Sequence, residues 1–254
     1  MKKVSICKLP SGWHELTIKQ VLVVSKLFIS NHGDKDFAVR CFLAFTGWKP
    51  LRKHEFADDN KTWFWFKSRE KGTFCVDGEI YTDLVKKLDW ILAEIKLISV
   101  LPDLGRSKPI DCRLYEVTLD EYLFLDSAFN AYAKTKEKRY LNRMLAIVYR
   151  RKNETWNSDR LNKMVRRFWF VPFYKKYVIF LWFIGIKGFL RTEYPYLWQD
   201  GEGSPISHAQ AVLNLLSSLN NGDITKNKEI FKTHVHEAFY ELNLKAEQAA
   251  RLKP

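Results

Sequence analysis

The sequence predicts a mainly α protein, a multi-helix bundle carrying one small β-hairpin or meander at about residues 62–81. Three observations predict it. Apolar residues recur at helical spacing along most of the chain. Two capping boxes, Thr17 with Gln20 and Thr118 with Glu121, each stand directly before such a run. One stretch, KTWFWFKSREKGTFCVDGEIYTDL from Lys61 to Leu84, is instead aromatic and β-branched, with a turn signal at Glu70, Lys71 and Gly72.

The elements follow in order. The Thr17 box, with Leu16 and Val21 as a hydrophobic staple, opens a helix to about Ser30, which Asn31, His32 and Gly33 break. A second helix, about 34–45, ends at Thr46 and Gly47, and Pro50 prevents its resumption. Residues 51–60 are polar and loop-like. After the β insert a helix over about 81–97 places Leu84, Leu88, Ile91 and Ile95 on one face. Pro102, Gly105 and Pro109 mark a connection over 101–117. The Thr118 box, stapled by Val117 and Tyr122, opens a helix to about Ala133, and another helix follows over 136–150.

A helix over 159–170 comes next, capped by Asn157 or Ser158. Pro172 stands in the first turn of a helix to about Leu190, where Gly185 and Gly188 either permit close packing or fray its end. Ser204 and Pro205 start a helix to about 219, which Asn220, Asn221 and Gly222 close. A last helix over about 227–250 has Phe231, Val235, Ala238, Phe239 and Leu242 on one face. The expected organisation is an N-terminal helical lobe over 1–100 with the β insert, a connecting segment 101–117, and a C-terminal helical domain over 118–254 around a central apolar helix 173–190.

Composition supports a packed core: 254 residues, 46% hydrophobic and 15% aromatic, exclude a disordered tail. The most apolar run, Tyr177 to Ile186, is shorter than the roughly 20 residues a bilayer span needs. It reads as a buried helix, because it is apolar all round. Its flanking lysines leave an interfacial membrane helix as the alternative. Trp182 and Phe183 within it are structural bets, expected to be buried and to cost about 3–5 kcal/mol on truncation. Thr17 and Thr118 as N-caps are each expected to contribute about 0.5–2 kcal/mol relative to Ala.

The formal charge of +13 is localised. Between Lys134 and Arg191 stand 16 Lys and Arg against 3 Asp and Glu, while the rest of the chain holds 26 of each. A block of one sign attracts an anionic surface without specifying which anion. Its opening helix, TKEKRYLNRMLAIVYRRK, has Leu141, Met144, Leu145 and Val148 on one face and Arg139, Arg143 and Arg150 on another. The basic-surface residues are these three with Arg151, Lys152, Arg160, Lys163, Arg166 and Arg167, enough for phosphate contacts. The nearest rings, Trp156 and Trp169, group with aromatics of the core type rather than with stacking platforms.

No catalytic residue, cofactor or metal site is expected. The chain has no phosphate-binding glycine loop, HExxH or GxSxG. Cys7, Cys41, Cys75 and Cys112 stand alone and read as reduced, mostly buried thiols. His234 and His236 are two apart, which is wrong for a shared metal face on a helix. Asp120 and Glu121 sit where a helix's first turn favours carboxylates. The N-terminus lacks the apolar run of a secretory signal.

Three segments carry a resemblance: LPSGWHELTIKQ (Leu9 to Gln20), EYLFLDSAFNAYAKTKEKRYLNRMLAIVYRRK (Glu121 to Lys152) and FLWFIGIKGFLRTEYPYLW (Phe180 to Trp198). They resemble proteins encoded by phages and prophages of gut Bacteroidota among virion and tail-module genes. The β insert departs from that pattern. The resemblance implies a non-enzymatic structural or tail-assembly, chaperone-like protein acting through contacts with phage structural or tail proteins. It implies action in the cytoplasm of the infected or lysogenic host, or incorporation in the virion. The alternative is a nucleic-acid-binding or genome-packaging protein that uses the block 134–191; a membrane partner is not expected.

Overall fold

The computed structural model describes residues 8–30, 34–51, 62–198 and 208–252. Among them the architecture is a mainly α, multi-helix bundle with two small antiparallel sheets. The chain forms two compact units, Met1–Ile95 and Lys96–Pro254.

The first unit opens with α1 (Ile18–Ile29) and α2 (Asp34–Thr46). The Thr17 box forms as expected: the hydroxyl accepts from Gln20 N–H at 3.3 Å, and Gln20 Oε1 accepts from Thr17 N–H at 2.9 Å. The staple residues Leu16 and Val21 are buried. The break at 31–33 lies outside the described residues, as do most of the polar loop 51–60 and the cap at Ser204 and Pro205. The β insert is three-stranded. β1 (Lys49–Pro50), missed in the sequence, pairs with β2 (Trp63–Ser68), which pairs with β3 (Gly72–Asp77). Phe42, Trp48, Phe66, Phe74 and Tyr81 form one aromatic cluster in which Phe42 meets Trp48 and Tyr81 edge-on.

The insert ends at 77, not 81. Asp77 caps α3 (Gly78–Lys86) by accepting from Glu79 N–H at 2.8 Å, so the helix starts directly off the strand. The expected helix 81–97 is instead α3 and a short α4 (Trp90–Ala93), separated by a turn at 87–89. Leu84, Leu88 and Ile91 are buried as their spacing requires, whereas Ile95 lies beyond the helix.

Residues 101–117, read as a connecting segment, fall within the second unit and contribute to its core. Leu101, Leu114 and Val117 are buried, and Tyr149 donates to the Pro102 carbonyl at 2.8 Å. Within this segment β4 (Lys108–Pro109) forms. α5 (Leu119–Thr135) begins at the Thr118 box, with both its hydrogen bonds present. α6 (Lys138–Val148) packs against both α5 and α8 (Phe173–Glu193). Tyr149 and Arg150, expected at the helix end, form the strand β5 opposite β4.

α6 is less one-sided than its sequence suggests: Asn142, Ala146 and Ile147 are buried along with Leu141, Met144, Leu145 and Val148. α8 is the apolar centre, with Trp182 and Phe183 fully buried and Trp182 Nε1 donating to the Cys112 carbonyl at 3.0 Å. Pro172 is its N-cap, not its first residue. Gly185 permits close packing: a Cβ there would stand 2.6 Å from the Leu97 carbonyl oxygen. No helix among the described residues is long and apolar enough to cross a membrane.

The expected helix 159–170 is mixed. A 3-10 turn (Ser158–Arg160) leads into α7 (Leu161–Val165) and a second 3-10 turn (Arg166–Phe168). α9 (His208–Asn220) ends at Asn221 and Gly222, both at positive φ as a C-terminal turn needs. The last expected helix is broken into α10 (Asn227–Ile230) and α11 (Val235–Arg251). The break has a physical reason: the Phe231 and Thr233 carbonyls accept from Asp120 and Leu119 N–H at 3.1 and 2.9 Å. The first amides of α5 have no partner within their own helix, and this segment supplies one.

Candidate functional site, a basic cleft and an aromatic-tipped stripe

The direction of the two-stranded ladder gathers the cations. β4 and β5 are antiparallel with Lys108 opposite Arg150. The residues before Lys108 therefore run beside those after Arg150. Each side ends in a tight turn. Leu104 and Ser107 exchange backbone hydrogen bonds of 3.2 Å around Gly105 and Arg106. Gly105 sits at φ 65°, a conformation glycine adopts without steric cost. On the other side the Arg151 carbonyl accepts from Glu154 N–H at 3.0 Å, with Asn153 at φ 62°. Arg106, Arg151 and Lys152 are exposed at these turns. The result is an open cleft of about 490 Å³, lined by Arg106, Lys108, Arg150, Arg151 and Lys152 against one carboxylate, Glu116, with Pro109 and Ile110 as an apolar wall.

Like charges opposite each other on a ladder repel, and both members of this pair are countered from elsewhere. Arg150 pairs with Glu121, whose side chain is 2% exposed. Glu121 also accepts from Thr118 N–H at 2.8 Å, so one carboxylate closes the capping box and holds the arginine. Lys108 reaches Asp103 at 2.5 Å. Arg150 Nε is buried without a hydrogen-bond partner among the described residues. Arg106, Arg151 and Lys152 make no side-chain ion pair among them.

The remaining residues of the basic block separate into tied and untied. Arg167 forks onto Glu154 with bonds of 2.7 and 2.6 Å. Those hydrogen bonds, helped by the Arg151 amide, hold the Glu154 carboxyl down to about 2, and Glu154 in turn raises the Arg167 guanidinium. Arg139 pairs with Glu137 at 2.8 Å on an exposed surface. Arg143 is half-buried on α6. Arg160, Lys163 and Arg166 are exposed and make no ion pair among the described residues.

These three form a stripe with Trp169. They recur every three residues through a segment of mixed 3-10 and α turns, where such spacing drifts slowly around the axis. Leu161, Met164 and Phe168 are buried from the same segment. Trp169 is 61% and Phe170 95% exposed, which corrects the grouping of Trp169 with core rings. The aromatic tip is held in place. Lys176, itself buried, donates to the Trp169 carbonyl at 3.1 Å, and Val171 N–H donates to the Phe168 carbonyl at 3.2 Å. Burial lowers the Lys176 ammonium, and nearby Lys138 lowers it further. Trp156, by contrast, is half-buried, its Nε1 donating to Asp120 at 2.6 Å.

The sequence reading missed Arg106, Lys108 and Phe170. The first two reach the site only through a ladder closing more than forty residues of chain, so no local signal reports them. Phe170 closes the aromatic triplet Phe168, Trp169 and Phe170, of which only Phe168 is buried, and residue type alone does not separate them. His236 was also missed as a structural centre. Its ring bonds to the Tyr194 hydroxyl at 2.7 Å and the Arg113 carbonyl at 2.8 Å, and stacks on Tyr115 at 4.5 Å.

Among the described residues no group of three or more His, Cys, Asp or Glu could hold a metal ion. Cys41 is buried, which pushes its thiol up to about 12; Cys75 and Cys112 are half-buried, and Cys7 lies outside the described residues. The chain matches no protein-family model, and no curated protein or solved structure is significantly similar to it.

Proposed function

We propose that this is a non-enzymatic phage structural or tail-assembly protein, chaperone-like, that works by docking an acidic protein partner on the stripe Arg160, Lys163, Arg166, Trp169 and Phe170. The carrying observation is the exposure of Trp169 and Phe170 in a turn held by Lys176. Tryptophan and arginine are the residues most enriched at binding hot spots. Holding them before the partner arrives reduces the ordering cost of association. The cations beside them select an acidic face and speed the encounter. The three segments that resemble phage proteins supply the setting: partners encoded with the tail module, in the cytoplasm of the host or in the assembled virion.

Co-purification with candidate tail proteins tests this reading. The full chain is expected to retain a partner that Trp169→Ala with Phe170→Ala loses, with unfolding temperature unchanged. Equal recovery by both chains would remove the stripe as the docking face. The second reading, nucleic-acid binding or packaging, is favoured by the same exposed rings, because bases stack on aromatic side chains beside basic grooves. It predicts affinity for single-stranded DNA that falls steeply with salt.

A further inference from the structure

We infer that the cleft on the β4–β5 ladder is a binding site for the phosphate of a nucleotide-sized phosphate ester. The inference is independent of the aromatic stripe.

The first ground is unneutralised charge. Five cations line the cleft against Glu116 alone. Asp103 and Glu121 counter two of them; Arg106, Arg151 and Lys152 make no side-chain ion pair among the described residues, and the Glu154 carboxylate that Arg151 influences is already forked by Arg167. Converging like charges repel, so the arrangement carries a standing cost that a multiply charged anion would relieve. A single carboxylate would leave most of that excess in place.

The second ground is donor geometry. Arg106 and Arg151 project from two tight turns at the same end of a hydrogen-bonded ladder, so their backbones are fixed relative to each other. Guanidinium forks match phosphate oxygens with two parallel hydrogen bonds. Arg150 also lines the cleft, and its Nε, buried beneath it, has no hydrogen-bond partner among the described residues.

The third ground is size and wall chemistry. At about 490 Å³ the cleft falls within the roughly 300–1,000 Å³ of small-molecule sites. Pro109 and Ile110 offer an apolar surface for the non-phosphate part of the ligand, and Ile110 is fixed by its N–H donating to the Val148 carbonyl at 2.9 Å.

The test uses the full chain and two double variants. Arg106→Gln with Arg151→Gln empties the cleft of its untied forks. Arg160→Gln with Lys163→Gln removes equal charge from the stripe. All four residues are exposed, and circular dichroism will confirm that both variants fold. Binding of ADP is measured by calorimetry, and binding of a short single-stranded oligonucleotide by fluorescence anisotropy, both at about 50 mM salt where phosphate contacts are strong. Saturable ADP binding is expected, weakened at least about tenfold by the cleft pair, as the loss of charge-assisted hydrogen bonds implies. The stripe pair should leave ADP binding within about twofold, because more distant exposed charges are screened.

Binding of the oligonucleotide but not ADP, lost with the cleft pair alone, would identify the phosphate as that of a nucleic-acid backbone. No saturable binding of either probe would overturn the inference. So would equal weakening by the two pairs, which would mark diffuse attraction by surface charge.

Discussion

α6 with its strand β5 and the segment from Ser158 to Phe170 read alike in the sequence, each a short run alternating arginine or lysine with apolar residues. They end in opposite places. From Leu141 onward α6 is buried apart from half-buried Arg143, and the arginine that follows it in β5 is tied to buried Glu121. The later segment buries only Leu161, Met164 and Phe168 and leaves Arg160, Lys163 and Arg166 free beside two exposed rings. The difference teaches that a charge run becomes structure or surface according to where its carboxylates come from. Glu121 lies 29 residues from Arg150 and Glu154 13 from Arg167, and the stripe has no such partner among the described residues.

The largest effect should separate neighbours. Arg150→Ala leaves Glu121 charged and buried, and breaking such a pair costs about 3–5 kcal/mol. Arg151→Ala, one residue on, removes an exposed side chain and should change stability by no more than about 0.5 kcal/mol. Urea unfolding midpoints at unchanged slope measure both. Equal losses would dissolve the distinction between tied and free cations.

Arg167→Ala should cost less, about 1.5–3 kcal/mol, the range for hydrogen bonds to a charged group, since the pair is one-quarter to one-fifth exposed. It also has a pH signature. The Glu154 carboxyl in the folded protein is held to about 2, below its ordinary 4.5, so the folded state binds this proton less readily than the unfolded chain. The stabilisation is present above about pH 4.5 and lost as pH falls toward about 2. The gap between wild type and Arg167→Ala should therefore be constant from about pH 5 upward and close on acidification. A gap that persisted at pH 2 would place the stabilisation in packing rather than charge.

How much of this was legible follows from the range of each interaction. Both capping boxes were readable because their hydrogen bonds span three residues. The burial of Trp182 and Phe183 was readable because a helix apolar all round needs protein on every side. The split of the last helix was not, because it depends on the first amides of α5 donating to the Phe231 and Thr233 carbonyls across more than a hundred residues. The cleft failed for the same reason: Arg150, Arg151 and Lys152 were visible as basic, but Arg106 and Lys108 join them only through the ladder. The stripe was half-legible, with its cations read correctly as surface and its aromatic tip grouped with the core.

The two capping boxes sharpen the same contrast at smaller scale. Thr118→Ala and Thr17→Ala each remove one cap hydrogen bond, worth about 0.5–2 kcal/mol. Thr118 should fall at the upper end, because its box partner Glu121 also anchors Arg150, whereas the Thr17 box is exposed and has no second role. Thermal unfolding of the two variants under one condition measures the order. The reverse order would show that Glu121 is positioned without its cap.

The smallest effects belong to the stripe, and their smallness is what makes it a candidate for binding. Arg160→Gln, Lys163→Gln and Arg166→Gln should each shift stability by no more than about 0.5 kcal/mol, since no ion pair among the described residues is lost. A side chain that stabilises nothing in its own fold is free to act on something outside it. If any one of the three costs more than about 1 kcal/mol in urea unfolding, that cation is holding the chain together as Arg150 does, and the docking face shrinks to those that remain.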